Sequence, residues 1–124
     1  MTRWLIVISC SAALSSSACK NDTGCERARL DLAKTWTELR QAATRRKLEG
    51  ADTRSWTEIE KKAELLESSF TTRQVTWESA NRATREIASA LPALTSDQDA
   101  RLTSFRNSAE SAIKQQGSFE KQCR

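Results

Sequence analysis

Four cysteines, Cys10, Cys19, Cys25 and Cys123, are the residues of this chain best equipped for chemistry. A thiolate can attack, bind a metal or close a disulfide. No two of them have the close spacing of a redox motif. The usual helpers are missing as well. The 124 residues contain no His and no Tyr, which removes the commonest general base and metal ligand. Serine and threonine are plentiful, but no His is there to activate them. Asp97 and Asp99 lack the further spaced oxygen ligands of a calcium loop and suit a helix start instead. Glu58, Glu60, Glu64 and Glu67 are interleaved with Lys61 and Lys62, the pattern of an exposed, salt-laced helix face rather than of paired catalytic carboxylates. No catalytic residue, cofactor site or metal site is therefore expected, and the chain reads as a non-enzyme.

The N-terminus carries the clearest signal. Arg3 supplies a positive start, Trp4 to Leu14 is an apolar stretch, and Ser15, Ser16, Ser17 and Ala18 are small residues ahead of a cut. About 20 apolar residues are needed to span a bilayer, more than this stretch offers. Cleavage after Ala18 removes Cys10 and leaves three cysteines, an awkward number in an exported protein. The segment Ser16-Ser17-Ala18-Cys19 resembles the lipobox of bacterial lipoprotein signals, with Ser16 where Leu is most common. The resemblance covers the first twenty residues. It implies that Cys19 is acylated and becomes the first mature residue, and that Lys20 directs the protein to the outer membrane, facing the periplasm. Cys25 and Cys123 then remain as the one available pair. The rival readings are ordinary secretion of a soluble protein and an uncleaved membrane anchor. The organisation expected is a signal peptide at 1–18, a lipidated tether at 19–24 and a helical bundle domain at 25–124.

Removing 18 of 124 residues leaves 106, enough for one small domain. The formal charge of +4 falls to +3 without Arg3, and acids and bases are mixed along the chain. Such a surface suits solvent better than nucleic acid, and no nucleic-acid partner is expected. Three Gly and one Pro are very few breakers, and they fall where helices would begin or end. With no period-two segment, the fold class is all-α: a small antiparallel helical bundle with coiled-coil-like seams and one disulfide.

The first helix has the stripe Cys25, Leu32, Trp36, Leu39 and Ala43 and ends with Arg45, Arg46 and Lys47 before Gly50. A second is opened by the capping pattern of Ser55 and Glu58. Its seam of Trp56, Ile59, Ala63, Leu66, Phe70, Arg73, Trp77, Ala80, Thr84, Ile87, Leu91 and Leu94 alternates by three and four up to Pro92 and just past it. A third starts near Ser96 and carries Leu102, Phe105, Ala109, Ala112, Gln116, Phe119 and Cys123, with Gly117 as an early stop. The unbroken seam favours three helices with a long middle one. The poor helix formers Ser68, Ser69, Thr71 and Thr72 mark a break near Phe70 that would give four. Either topology lets a Cys25–Cys123 bridge form; the alternative use of Cys123 is a covalent dimer, so monomer and homodimer both stay open.

Two groups remain as interaction candidates. Arg45, Arg46 and Lys47 suit either the negative end of a helix or an anionic contact. Trp36, Trp56 and Trp77 belong in the core at their seam spacing, and any one left uncovered is a binding hot spot. The expected function is that of a membrane-anchored periplasmic lipoprotein acting as an accessory or interaction module for an unidentified envelope protein. The alternatives are a soluble exported inhibitor or immunity-type binder and a coiled-coil spacer across the periplasm. The last resembles phage spanin subunits only in being helical and ending in Gln122-Cys123-Arg124.

Overall fold

The computed structural model describes residues 23–49, 53–95 and 100–124. The expected signal peptide, Cys10, Cys19, Gly50 and the Ser96 to Asp99 helix start lie outside them. Four α-helices follow in order: α1 (Thr23–Leu48), α2 (Thr53–Thr72), α3 (Trp77–Ala90) and, after a 3-10 turn at Leu91–Thr95, α4 (Ala100–Cys123). Among the described residues there is no strand, and no helix is long and apolar enough to cross a membrane.

The helices run up, down, up and down. Contacts between successive helices fix this: Lys47 near the end of α1 meets Glu60 near the start of α2, and Asn81 early in α3 meets Glu120 late in α4. Residues placed on seams by their spacing form the core. Leu32, Trp36, Leu39 and Ala43 of α1 pack with Trp56, Ile59, Ala63, Leu66 and Phe70 of α2. The other half of the bundle adds Ala80, Ala83 and Ile87 of α3, Leu91 and Leu94 of the turn, and Leu102, Phe105, Ala109 and Ala112 of α4. Gln116 is polar at a seam position and fully buried because its Oε1 accepts from the Trp36 indole Nε1 at 3.1 Å, so neither polar group is left without a partner in the core.

The middle segment takes the four-helix alternative, not the long helix favoured by the seam. Helix α2 stops at Thr72, Arg73 turns left-handed with φ 65°, and Thr76 is extended before α3 begins. Local chemistry accounts for the stop. The hydroxyls of Ser69 and Thr72 bond back to the carbonyls of Leu65 and Ser68, and Thr72 Oγ1 also accepts from the Gln74 amide at 3.4 Å. Such side chains offer the backbone an alternative to continuing the helix. Arg29 of α1 then donates to the carbonyl oxygens of Phe70 and Thr71, which have no partner further along their own helix.

Three boundaries also differ from expectation. Helix α1 begins at Thr23, ahead of Cys25. Helix α2 begins at Thr53, so Ser55 and Glu58 lie inside it rather than at its cap. Gly117 does not end α4, which continues to Cys123 because the disulfide and Phe119 hold its last turns against α1 and α2.

Cys25 and Cys123 are joined within the chain, with their Cα atoms 5.9 Å apart and a sequence separation of 98. Engaged in this way, Cys123 cannot also bridge a second chain. The bond gathers the start of α1 and the finish of α4 at one end of the bundle, called here the disulfide end; the α1–α2 and α4-start termini define the far end.

Candidate functional site

At the far end, α1 and α4 leave a groove of about 310 Å³ between them. Helix α1 contributes Glu38, Leu39, Ala42, Arg45 and Arg46, and the turn just after it adds Glu49, all on one face at helical spacing. Arg101, Ser104, Phe105 and Ser108 come from α4. Small side chains on both walls, Ala42, Ser104 and Ser108, leave the space between the two helices unfilled. The floor is apolar, with Leu39 and Phe105 buried. The rim alternates charges and hydroxyls: Glu38, Arg45, Ser104 and Ser108 are exposed, and Glu49 receives bonds from Arg46 at 3.1 Å and Arg101 at 3.3 Å. An apolar floor inside a polar rim is the anatomy of a protein contact, in which a partner's side chain fills the centre and the rim excludes water.

The basic run does not form one patch. Arg45 is exposed on the groove rim, whereas Arg46 lies over the ring of Trp56 at 5.8 Å and Lys47 turns away to Glu60 at 2.7 Å. The tryptophans divide too. Trp36 and Trp56 are buried, Trp56 meeting Phe105 edge-on at 4.9 Å just beneath the groove. Trp77 is half-buried at the opposite, disulfide end, 5.9 Å from both Phe70 and Phe119. Structure therefore brings Arg45, Arg46 and Trp56 together and leaves Trp36, Lys47 and Trp77 elsewhere.

Glu60 and Glu67 also correct the picture of an α2 face that pairs with its own lysines. Both cross to α1. Glu67 accepts from Arg40 Nε at 2.6 Å and from the Thr37 hydroxyl at 2.6 Å; Glu60 accepts from Lys47 at 2.7 Å and from the Thr44 hydroxyl. The two sets repeat seven residues apart on each helix, which makes a two-layer polar zipper along the α1–α2 seam. Lys47 and then Thr44 hold the Glu60 carboxyl below its ordinary value. For Glu67, burial is the largest influence and pushes upward, but Arg40 and Thr37 together outweigh it and the net direction is down. Glu67 in turn raises the affinity of Arg40 for its proton. The repeat of Thr37 and Arg40 as Thr44 and Lys47, facing a Glu60 to Glu67 repeat, was the available sequence signal for this zipper. Similarly, Ser104 and Ser108 at a spacing of four mark the groove wall.

No family model matches the chain, and neither a curated protein nor a solved structure is found similar to it.

Proposed function

We propose that this protein is a bacterial envelope lipoprotein, held on a membrane by acyl chains on Cys19, that works without catalysis by offering its far-end groove to another envelope protein. The observation that carries this is the bond between Cys25 and Cys123. It consumes two of the three cysteines beyond the signal, so the third, Cys19, is the one left for lipid within Ser16-Ser17-Ala18-Cys19. Several acyl chains on one cysteine give stable anchoring, where a single chain binds reversibly. Lys20 after the anchor supports the outer membrane as the destination and the periplasm as the facing compartment, by its resemblance to the sorting pattern of lipoproteins.

Geometry fits the role of an anchored binder. The tether enters at the disulfide end, and the groove lies at the other extreme of α1, a helix of 26 residues that is about 39 Å long. Radiolabelled palmitate should enter the wild-type protein and not the Cys19→Ser variant; equal labelling of both refutes the anchor. A photo-crosslinking residue at Ser104 should trap an envelope protein, whereas one at exposed Glu64 should not. Identical products from both positions refute the groove as the contact.

A further inference from the structure

We infer that the disulfide end of the bundle is a seat for anionic phospholipid headgroups, against which the tethered domain stands. The inference rests on acylation of Cys19. Only three residues lie between that cysteine and Thr23 at the start of α1, and the four-step span from one to the other reaches about 14 Å at most. An anchored chain therefore keeps this end of the bundle close to the lipid surface.

What the end displays is suited to that surface. Arg73 stands out from the α2–α3 turn with its side chain 67% exposed, and Arg124 follows α4 at 59%. Arg27 and Lys121 are exposed on the first turns of α1 and the last turns of α4 and make no ion pair among the described residues. At this end a cleft of about 380 Å³ is walled by Val75, Trp77, Phe119 and the disulfide on its apolar side and by Glu26, Arg29 and Arg73 on its charged side. Trp77 is half-buried, with the Arg124 guanidinium 5.8 Å from its ring centre. Aromatic rings with one apolar side and one wet side favour the headgroup level, and arginines extend their charge to phosphate from an apolar stem. Of the acids on this end, Glu26 is shared by Arg29 and Arg73, Glu120 takes Arg124 and Asn81, and Glu78 pairs with Arg82 at 3.4 Å. Helix α2 also gives up regular structure here, with Arg73 in a left-handed conformation that non-glycine residues rarely adopt. That turn sets Arg73 and Trp77 on the same outward surface.

The test uses the lipidated protein in vesicles carrying a nitroxide on the headgroup, with tryptophan fluorescence as the readout. Trp36 and Trp56 are 1% exposed, so quenching reports Trp77. In vesicles with phosphatidylglycerol, the wild type should be quenched and Trp77→Phe should not. Neutral phosphatidylcholine vesicles, or 0.5 M salt, should weaken the effect. Near a charged surface each basic residue changes partition by roughly fivefold, so Arg27→Gln with Lys121→Gln, neither of which holds the fold, should lower the equilibrium constant for seating by about 25-fold, as should Arg73→Gln with Arg124→Gln. Quenching that ignores lipid charge, or is unchanged in both double variants, overturns the seat. Flotation separates the two readings. Protein that floats with the vesicles while Trp77 stays unquenched keeps its anchor and loses the seat, whereas protein that does not float overturns both.

Discussion

Replacing both Cys25 and Cys123 by serine should make this domain barely stable. The bond closes a loop across 98 positions, nearly the whole folded part, and in the chain-entropy model a loop of that length stabilises by about 4.7 kcal/mol. A domain of this size is stable by only about 5 to 15 kcal/mol in total. Unfolding entropy near 60 °C is about 2.1 cal/mol/K per residue, so for roughly 100 residues the loss corresponds to a fall in Tm on the order of 20 °C. The structure also says where the damage starts. Phe119 stacks on Phe70 at 5.8 Å only while α4 is held at this end, so the cluster of Phe70, Trp77 and Phe119 should loosen before the far end does. Thermal melting followed by circular dichroism, with Trp77 fluorescence recorded in parallel, measures both effects. A Tm fall below about 5 °C would refute the reasoning, because it would mean that the unfolded chain gains little freedom from the lost link.

Three further outcomes follow from particular residues. Gln116→Leu should cost about 1 to 3 kcal/mol by leaving the buried Trp36 N–H without its acceptor, and Trp36→Phe in the same chain should recover part of that loss in a double-mutant cycle by denaturant titration. Gly117→Ala should raise stability by about 0.5 to 1 kcal/mol, since the residue is inside α4 and a Cβ there meets nothing within 4 Å; a measured loss would show that the helix is not continuous through it. Glu60 and Glu67 have folded-state carboxyls held below their ordinary value, so the stabilisation they give is complete above the unfolded pKa of about 4.3 and is lost as pH falls through the lower folded values. Glu60→Gln with Glu67→Gln should therefore flatten the acid limb of a stability profile below about pH 4.3 while leaving the neutral plateau lower than in the wild type.

The seams were legible because spacing reports which residues face the core. Trp56, Ile59, Ala63, Leu66 and Phe70 and then Ala80, Ile87, Leu91 and Leu94 are all buried as the repeat implies. Spacing does not report whether the axis reverses between two such stretches. Here α2 and α3 use opposite directions with one apolar repeat in phase across the turn. Only the Ser and Thr run and the seam position of Arg73 betrayed the break. The capping of α2 by Arg29 could not be read at all, because the bonded carbonyls lie 41 and 42 positions away and belong to the backbone. The groove was half legible: Arg45, Arg46 and Trp56 stood out by type, whereas Ser104 and Ser108 matter for being small, a property that becomes visible only once α4 lies against α1.

The distribution of polar bonds makes the two ends of the bundle unequal. Helices α1 and α2 are joined along their length by the zipper of Thr37, Arg40 and Glu67 with Thr44, Lys47 and Glu60, so this hairpin forms a frame independent of the disulfide. Helix α4 is held differently. Its side-chain bonds to the body of α1, Trp36–Gln116 and Thr35–Gln115, and the disulfide lie in its second half, while its first half meets the end of α1 through Arg101 and Glu49 and borders the groove, with Leu102 and Phe105 buried. A helix held by a disulfide and buried side-chain bonds at one end and bordered by an unfilled groove at the other adjusts most readily beside the groove, since local opening is easiest where buried contacts are fewest. On the proposed reading of the groove as the contact surface, the disulfide at the opposite end leaves adaptability on the side that a partner would meet. Tightening the groove with Ser104→Leu would be expected to stabilise the fold and weaken partner capture together, a coupling that a purely structural role for α4 would not produce.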